Sequence, residues 1–485
     1  MMVPEKNKIP IPPSLLKNSA WLFVAEVIAK LTALGVQILA ARYLGTKGYG
    51  IFSFSFVAAS IVLDFIDYGL RTYLTRELST KPDLVNSLLA NIFIVKWFVT
   101  LISLFVFFGI YSGLSLDLET LWVAVLVAAA MILNGYSEIY LGVFRAFERM
   151  QLVALLMVLQ RIIFFVIGFW VLVVGGGIVW FSSIFLLASL VNFFLARKFL
   201  ENQKGQFFSN IDSSQVKKIL NESKGLCLAI LFVWLYFRID SVLIFLFLGK
   251  EETGLYFSAF KIIESLALVL ASIRGALFPA LSRVVFDRCE QLNQLWKKAA
   301  RSLFIIAIPI SVISVIMAPK FIELLYGSDF EISSQILQIL AAPFIFLVFN
   351  EFITYILLAA KETRSVIKVA MFGTVFSLIA NIVIIPKMGI VGVALVAGLT
   401  ELLVLILFLR SIREICGVVS FLSLLWRPVL AAIVMILVLL KVHWSLIPLI
   451  LFSLMIYFLL LVFLREFNAD DILEIKNVIS RKRYN

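Results

Sequence analysis

Residues 44–52 read LGTKGYGIF, and 204 positions later residues 248–256 read LGKEETGLY. Both follow the pattern Leu-Gly-x4-Gly-aliphatic-aromatic, and Phe56 and Phe260 keep the same register. Each copy closes one long apolar run and opens the next. Residues 15–41 and 50–70 flank the first copy, and 225–248 and 254–276 flank the second. A second echo lies further on: Glu138 to Ala146 matches Glu351 to Ala359 at an offset of 213, each followed by a short charged turn. Two echoes at nearly one offset mark an internal duplication. Six spans per copy give both halves the same orientation, which predicts parallel repeats about an axis along the membrane normal.

Working outward from these turns, apolar runs recur along the whole chain. They fall at about 15–41, 50–70, 84–110, 120–144, 151–174, 178–196, 225–248, 254–276, 303–319, 333–359, 365–385, 389–409, 428–440 and 445–464. The 485 residues are 62% hydrophobic and 15% charged, with a mean hydropathy of +1.06. Soluble domains are about 45–50% apolar and about 25% charged, so lipid must be the solvent of most of this surface. In lipid each span has to be a helix, because its backbone groups find no water. The expected fold class is therefore an all-α integral membrane protein of about fourteen transmembrane helices.

The distribution of positive charge agrees with that count. With the N-terminus in the cytosol, cytosolic segments carry 30 of the 42 Lys and Arg, and outer loops carry six. The outer six are Arg42, Lys47, Lys250, Lys320, Lys387 and Lys441. This asymmetry is the positive-inside pattern, and an odd number of spans would destroy it. Both termini are expected in the cytosol, and the net charge of +12 reflects topology and contact with anionic lipid rather than nucleic-acid binding.

The chain divides into an N-terminal tail at 1–14, a six-helix lobe at 15–210, a second at 211–414, an added helix pair at 415–465 and a basic tail at 466–485. The N-terminal stretch, charged and with four prolines, does not read as a cleaved signal. No inter-span segment exceeds about 30 residues and no phosphate-loop motif is present, which excludes direct drive by ATP. The three cysteines (Cys227, Cys289 and Cys416) lie in or beside apolar runs without metal-ligand spacing, and His443 is the one histidine. No cofactor is expected.

Fourteen spans, the turn LGTKGYGIFSFSF, the turn FRAFERM after span 4 and IPKMGIVGVALVAGLTELL at spans 11–12 resemble the polysaccharide-biosynthesis flippases. These are Wzx-type exporters of lipid-linked oligosaccharides within the MOP superfamily, which also holds MATE drug exporters and lipid II flippases. The resemblance covers nearly the whole chain. It implies two six-helix lobes in a V around a central cavity lined by helices 1, 2, 7 and 8, with helices 13 and 14 added. It further implies a transporter, not an enzyme, in the cytoplasmic membrane. The implied partners are a lipid-linked oligosaccharide, anionic lipids, H+ or Na+ as coupling ion, and other membrane proteins of glycan assembly. A MATE-type exporter of small molecules and a membrane-embedded polymerase or glycosyltransferase are the alternatives.

Fourteen charged residues lie inside the spans, and nine of them fall on spans 1, 2, 7 and 8: Glu26, Lys30, Asp64, Asp67, Arg238, Asp240, Lys261, Glu264 and Arg274. Charge within a membrane costs about 2.5–3.5 kcal/mol on insertion scales, so such residues face a cavity or a partner. Lys30, Arg238, Lys261 and Arg274 are the candidate substrate cations, suited to a pyrophosphate, with arginine binding it bidentately. Asp64 and Asp67, spaced i, i+3, and Glu264 are the candidate ion-coupling acids. Glu26 with Lys30, and Lys261 with Glu264, have the spacing of intrahelical ion pairs. Lys96, Arg161, Glu138, Glu351 and Glu401 are expected to act as ties between helices.

Overall fold

The computed structural model describes residues 13–113, 116–204, 211–284, 289–360, 362–416 and 422–466. The side chains of Asp64 and Arg274 lie outside the described residues. Every described element is a helix, and each predicted run falls on one. In chain order they are α1 (Pro13–Asp67), α2 (Leu70–Thr80), α3 (Val85–Gly113), α4 (Leu118–Ala146), α5 (Met150–Val173), α6 (Ile178–Lys204), α7 (Ser213–Leu248) and α8 (Lys250–Val284). They continue as α9 (Cys289–Ile316), α10 (Ala318–Tyr326), α11 (Ile332–Ala341), α12 (Phe344–Ala359), α13 (Thr363–Cys416), α14 (Leu422–Lys441) and α15 (Leu446–Phe463).

By length and composition, nine of the described helices suffice to cross a membrane, or ten when α11 and α12, bent by 47° about Pro343, count as one. Two of these, α1 and α13, run through a break. Gly45, at φ 67°, divides α1 where spans 1 and 2 were expected to part, and Gly389 divides α13 between spans 11 and 12. The number fourteen itself stays an expectation from sequence.

The repeat reappears in backbone geometry. Gly45 has φ 67° and ψ −176°, and Gly249, 204 residues later, has φ 93° and ψ −165°. Side chains rarely tolerate positive φ, so glycine at both positions is what allows the chain to break one helix and start the next there.

The chain forms two compact units, residues 1–254 and 255–485. α7 thus groups with the first unit, although the sequence placed residues 211–248 at the head of the second lobe. The reason is packing: α7 lies along α1 and α3, and the rings of Phe54 and Phe245 stack at 3.6 Å. Within this unit α5 packs most closely on α1, and α4 on α6 and α1. A core of Leu74, Leu78, Leu89, Ile92, Ile139 and Phe144 joins α2, α3 and α4. Within the second unit α12 packs on α13, and α14 on α9 and α15. The outer faces are apolar: Phe105 is 82% exposed and Ile447 68%. Such surfaces suit acyl chains rather than water.

Candidate functional site

The membrane-embedded charges sort into paired and unpaired groups. In the first unit, Asp67 ends α1 where Gly69, in the left-handed region, turns the chain into α2. Its Oδ1 lies 3.7 Å from Nζ of Lys96 on α3. Lys96 is fully buried and sits 5.6 Å from the centre of the Tyr136 ring. Burial of the lysine makes this pair a strong constraint, since Lys96 alone would be an uncompensated buried charge. Asp67 was expected to share a face with Asp64 as an acid pair; Asp64's side chain lies outside the described residues, and among those described Asp67 contacts Lys96.

Nearby, Glu138 accepts from Arg71 at 3.3 Å and from Arg145 at 2.9 Å, tying α2 to α4. Arg76 reaches Glu222 on α7 at 2.7 Å. Asn91 on α3 accepts from the backbone N–H of Asp212 just before α7. Helices 2, 3, 4 and 7 are laced at one end by polar contacts, the outcome expected of Glu138.

Lys30, at mid-α1, is partly buried and makes no ion pair among the described residues. Glu26, one turn earlier, is exposed, and the intrahelical bridge that the i, i+4 spacing suggested is not formed. Arg238 on α7 is buried, at 6% exposure. Arg161, at the middle of α5, was expected to tie helices together, but among the described residues it has neither an ion pair nor a hydrogen bond. Its neighbour Gln160 makes the tie instead, donating to Asn134 at 2.6 Å and to Ser189 at 3.3 Å.

In the second unit, Lys261 and Glu264 of α8 form the expected i, i+3 ion pair, and the Lys261 ammonium lies 5.5 Å from the centre of the Phe257 ring. Glu401 on α13 accepts from Asn350 on α12 at 2.7 Å, a tie of the kind foreseen for it.

One cluster was not foreseen. Glu466, assigned from sequence to the start of the basic tail, is buried at 3% exposure. It accepts from Nε of Arg301 on α9 at 2.8 Å and from Nη1 of Arg427 on α14 at 3.0 Å. The same Arg427 nitrogen donates to the carbonyl of Arg465 at 3.1 Å. The added helices are thereby fastened to α9. The signal available in sequence was a lone acid directly after the final apolar run.

At the opposite ends of the helices, Lys250 pairs with Asp117, which also accepts from Thr120. The Lys250 ammonium beside Asp117 holds its carboxyl below the ordinary carboxylate range, with Thr120 adding to the effect.

These helices build a known fold. The solved structure of the lipid II flippase MurJ, in an inward closed conformation, superposes with a TM-score of 0.77 at 16% identity, covering 91% of this chain and 98% of that one. The fold is that of a multi-pass helical membrane transporter. A family model described as polysaccharide biosynthesis protein matches residues 15–285, more than half of the chain, and the chain belongs to that family. Similar chains include the probable low-salt glycan biosynthesis flippase Agl15 of Haloferax volcanii, 24% identical over 80% of this chain and 81% of that one. The capsular polysaccharide biosynthesis protein CapF of Staphylococcus aureus is 21% identical over 83% of this chain and all of that one.

Proposed function

We propose that this protein is a flippase that carries a polyprenyl-pyrophosphate-linked oligosaccharide across the cytoplasmic membrane by alternating access, coupled to H+ or Na+. The observation that carries the reading is the family match over residues 15–285 joined to mid-membrane cations on the same helices. Both termini lie in the cytosol in this reading, supported by the 30-to-six division of Lys and Arg.

In this scheme Lys30, Arg238, Lys261 and Arg274 bind the pyrophosphate, and Asp64, Asp67 and Glu264 couple transport to an ion. The pairing described above suggests how. Lys261 is held by Glu264 and Asp67 holds Lys96. A pyrophosphate that engages Lys261 displaces Glu264, whose carboxylate then takes up a proton or Na+. Release of the lipid restores the ion pair and expels the ion. Substrate binding and ion binding each open the same lysine–glutamate bridge, so in this scheme the two events are thermodynamically linked.

The test is transport in proteoliposomes that carry a fluorescent lipid-linked oligosaccharide, with dithionite bleaching the label that reaches the outer leaflet. Wild-type protein should speed bleaching, and Arg238→Ala with Lys261→Ala should abolish the increase while the protein still reconstitutes. Undiminished transport by that double variant would overturn the anion-binding scheme.

A further inference from the structure

Arg161 stands out among the membrane-embedded charges. On α5 the lipid-facing row contains Leu155, Ile162 and Val166, exposed by 51%, 42% and 55%. Arg161 lies about 100° round the helix from it, in the row that contains Ala154 and Leu172, exposed by 4% and 2%. It is nevertheless partly open, in the middle of a buried row, and no acid or carbonyl meets its guanidinium among the described residues. An unpaired cation at mid-span lowers stability, and such residues mark sites of use.

Directly below it is a groove. Trp21, Ala25 and Ile28 of α1 and Ala154, Leu155 and Val158 of α5 line a cavity of about 420 Å³ whose walls are almost wholly apolar. Arg161 follows Val158 by one turn. One turn beyond Arg161, the Phe165 ring lies 2.8 Å from where a Cβ on Gly35 would stand. The shared cavity lining and this close approach place one stretch of α5 along one stretch of α1. An apolar slot that leads toward an unneutralised cation matches one kind of ligand, a hydrocarbon chain with an anionic head.

We infer that the groove between α1 and α5 is a seat for the first isoprene units of a polyprenyl pyrophosphate, with Arg161 gripping the phosphates. The inference rests on the flippase reading and adds to it a residue and a groove. Arginine offers a planar fork to two phosphate oxygens, which lysine cannot.

The test uses full-length protein in nanodiscs of phosphatidylcholine, titrated calorimetrically with farnesyl pyrophosphate, inorganic pyrophosphate or short-chain phosphatidylglycerol. Wild-type protein should bind farnesyl pyrophosphate most tightly. Arg161→Gln should weaken it at least tenfold, and Arg161→Lys by less. Leu155→Trp, a change at an exposed position that narrows the groove, should weaken farnesyl pyrophosphate and leave inorganic pyrophosphate unchanged. Arg161→Gln should melt no lower than wild type, because it removes an unpaired charge.

Binding within twofold of wild type in Arg161→Gln would overturn the inference, as would a fall of several degrees in its melting temperature, the mark of a structural role. Equal binding of phosphatidylglycerol would make the groove a seat for ordinary lipid and also overturn it. Transport in proteoliposomes separates the two readings. If wild-type protein flips the lipid-linked oligosaccharide while Arg161→Gln binds normally, only the groove falls. If wild-type protein neither flips nor binds it, both fall.

Discussion

The buried carboxylate of Glu466 gives the sharpest energetic prediction. Glu466→Gln keeps the shape of the side chain but leaves one acceptor oxygen where two arginines now each have one, at 2.8 and 3.0 Å. The amide NH2 must then face a guanidinium, donor against donor. Hydrogen bonds to charged groups are worth about 1.5–3 kcal/mol each, and breaking a buried pair costs about 3–5 kcal/mol. Here Arg301 is 18% exposed and Arg427 34%, so water recovers part of the loss. The expected cost is about 2–4 kcal/mol. At about 2–4 °C per kcal/mol for a body of some 230 residues, the purified protein should melt roughly 5–10 °C lower. The assay is thermal unfolding in one fixed detergent, followed by thiol reactivity or tryptophan fluorescence. A cycle with Arg427→Met should reveal coupling of about 1 kcal/mol or more between the two positions. A melting temperature within 1 °C of wild type together with zero coupling would refute the claim that Glu466 fastens α14 and α15 to α9.

Lys96→Met should lower the melting temperature by several degrees by stranding Asp67, and Lys96→Met with Asp67→Asn should regain most of the loss; equal loss in both would deny the pair any energetic role. Gly50→Ala should destabilise the protein strongly, since its Cβ would stand 1.8 Å from the Lys250 carbonyl oxygen, whereas Gly109→Ala, with nothing within 4 Å, should be neutral on the same melting assay. Asp117 has a lowered pKa in the folded state, so its stabilisation is present above the unfolded carboxylate pKa and is lost as pH falls through the folded value. Asp117→Asn should therefore flatten the dependence of melting temperature on pH on the acid side of the ordinary carboxylate range, and an unchanged profile would remove the Lys250 contact as its cause. Reporter fusions after Asn485 and within residues 250–253 should report cytosol and exterior respectively, and a cytosolic result for the second would end the proposed topology.

What could be read from sequence follows from range. Apolar runs and break glycines are local, so the runs landed on helices and Gly45 appeared where chain direction had to change, whereas the break between spans 11 and 12 falls at Gly389, three residues after the proline expected to make it. Pairs at i, i+3 on one helix were legible too, as Lys261 with Glu264 shows. Partners between helices were not, because sequence spacing says nothing of which faces meet. Asp67 met Lys96 on another helix, Glu26 and Lys30 form no bridge with each other, and Arg161, expected as a tie, makes none among the described residues while Gln160 does. Glu466 was missed for a related reason: a charge after the last apolar run looks solvated until two distant arginines converge on it.

The close approach at Gly50 has a counterpart. A Cβ at Gly50 would meet the carbonyl oxygen of Lys250 at 1.8 Å, and a Cβ at Gly254 would meet that of Thr46 at 2.1 Å. The repeat offset of 204 turns Gly50 into Gly254 and Thr46 into Lys250, so the two contacts are one contact seen twice. A self-complementary contact of this kind is the signature of an isologous pair, in which a patch meets its own copy. The paired glycines hold two backbones in close approach at both copies of the turn. The modern chain inherits a matched set that drift cannot loosen on one side alone: a bulky residue at either position, whatever its neighbour, still strikes the backbone opposite.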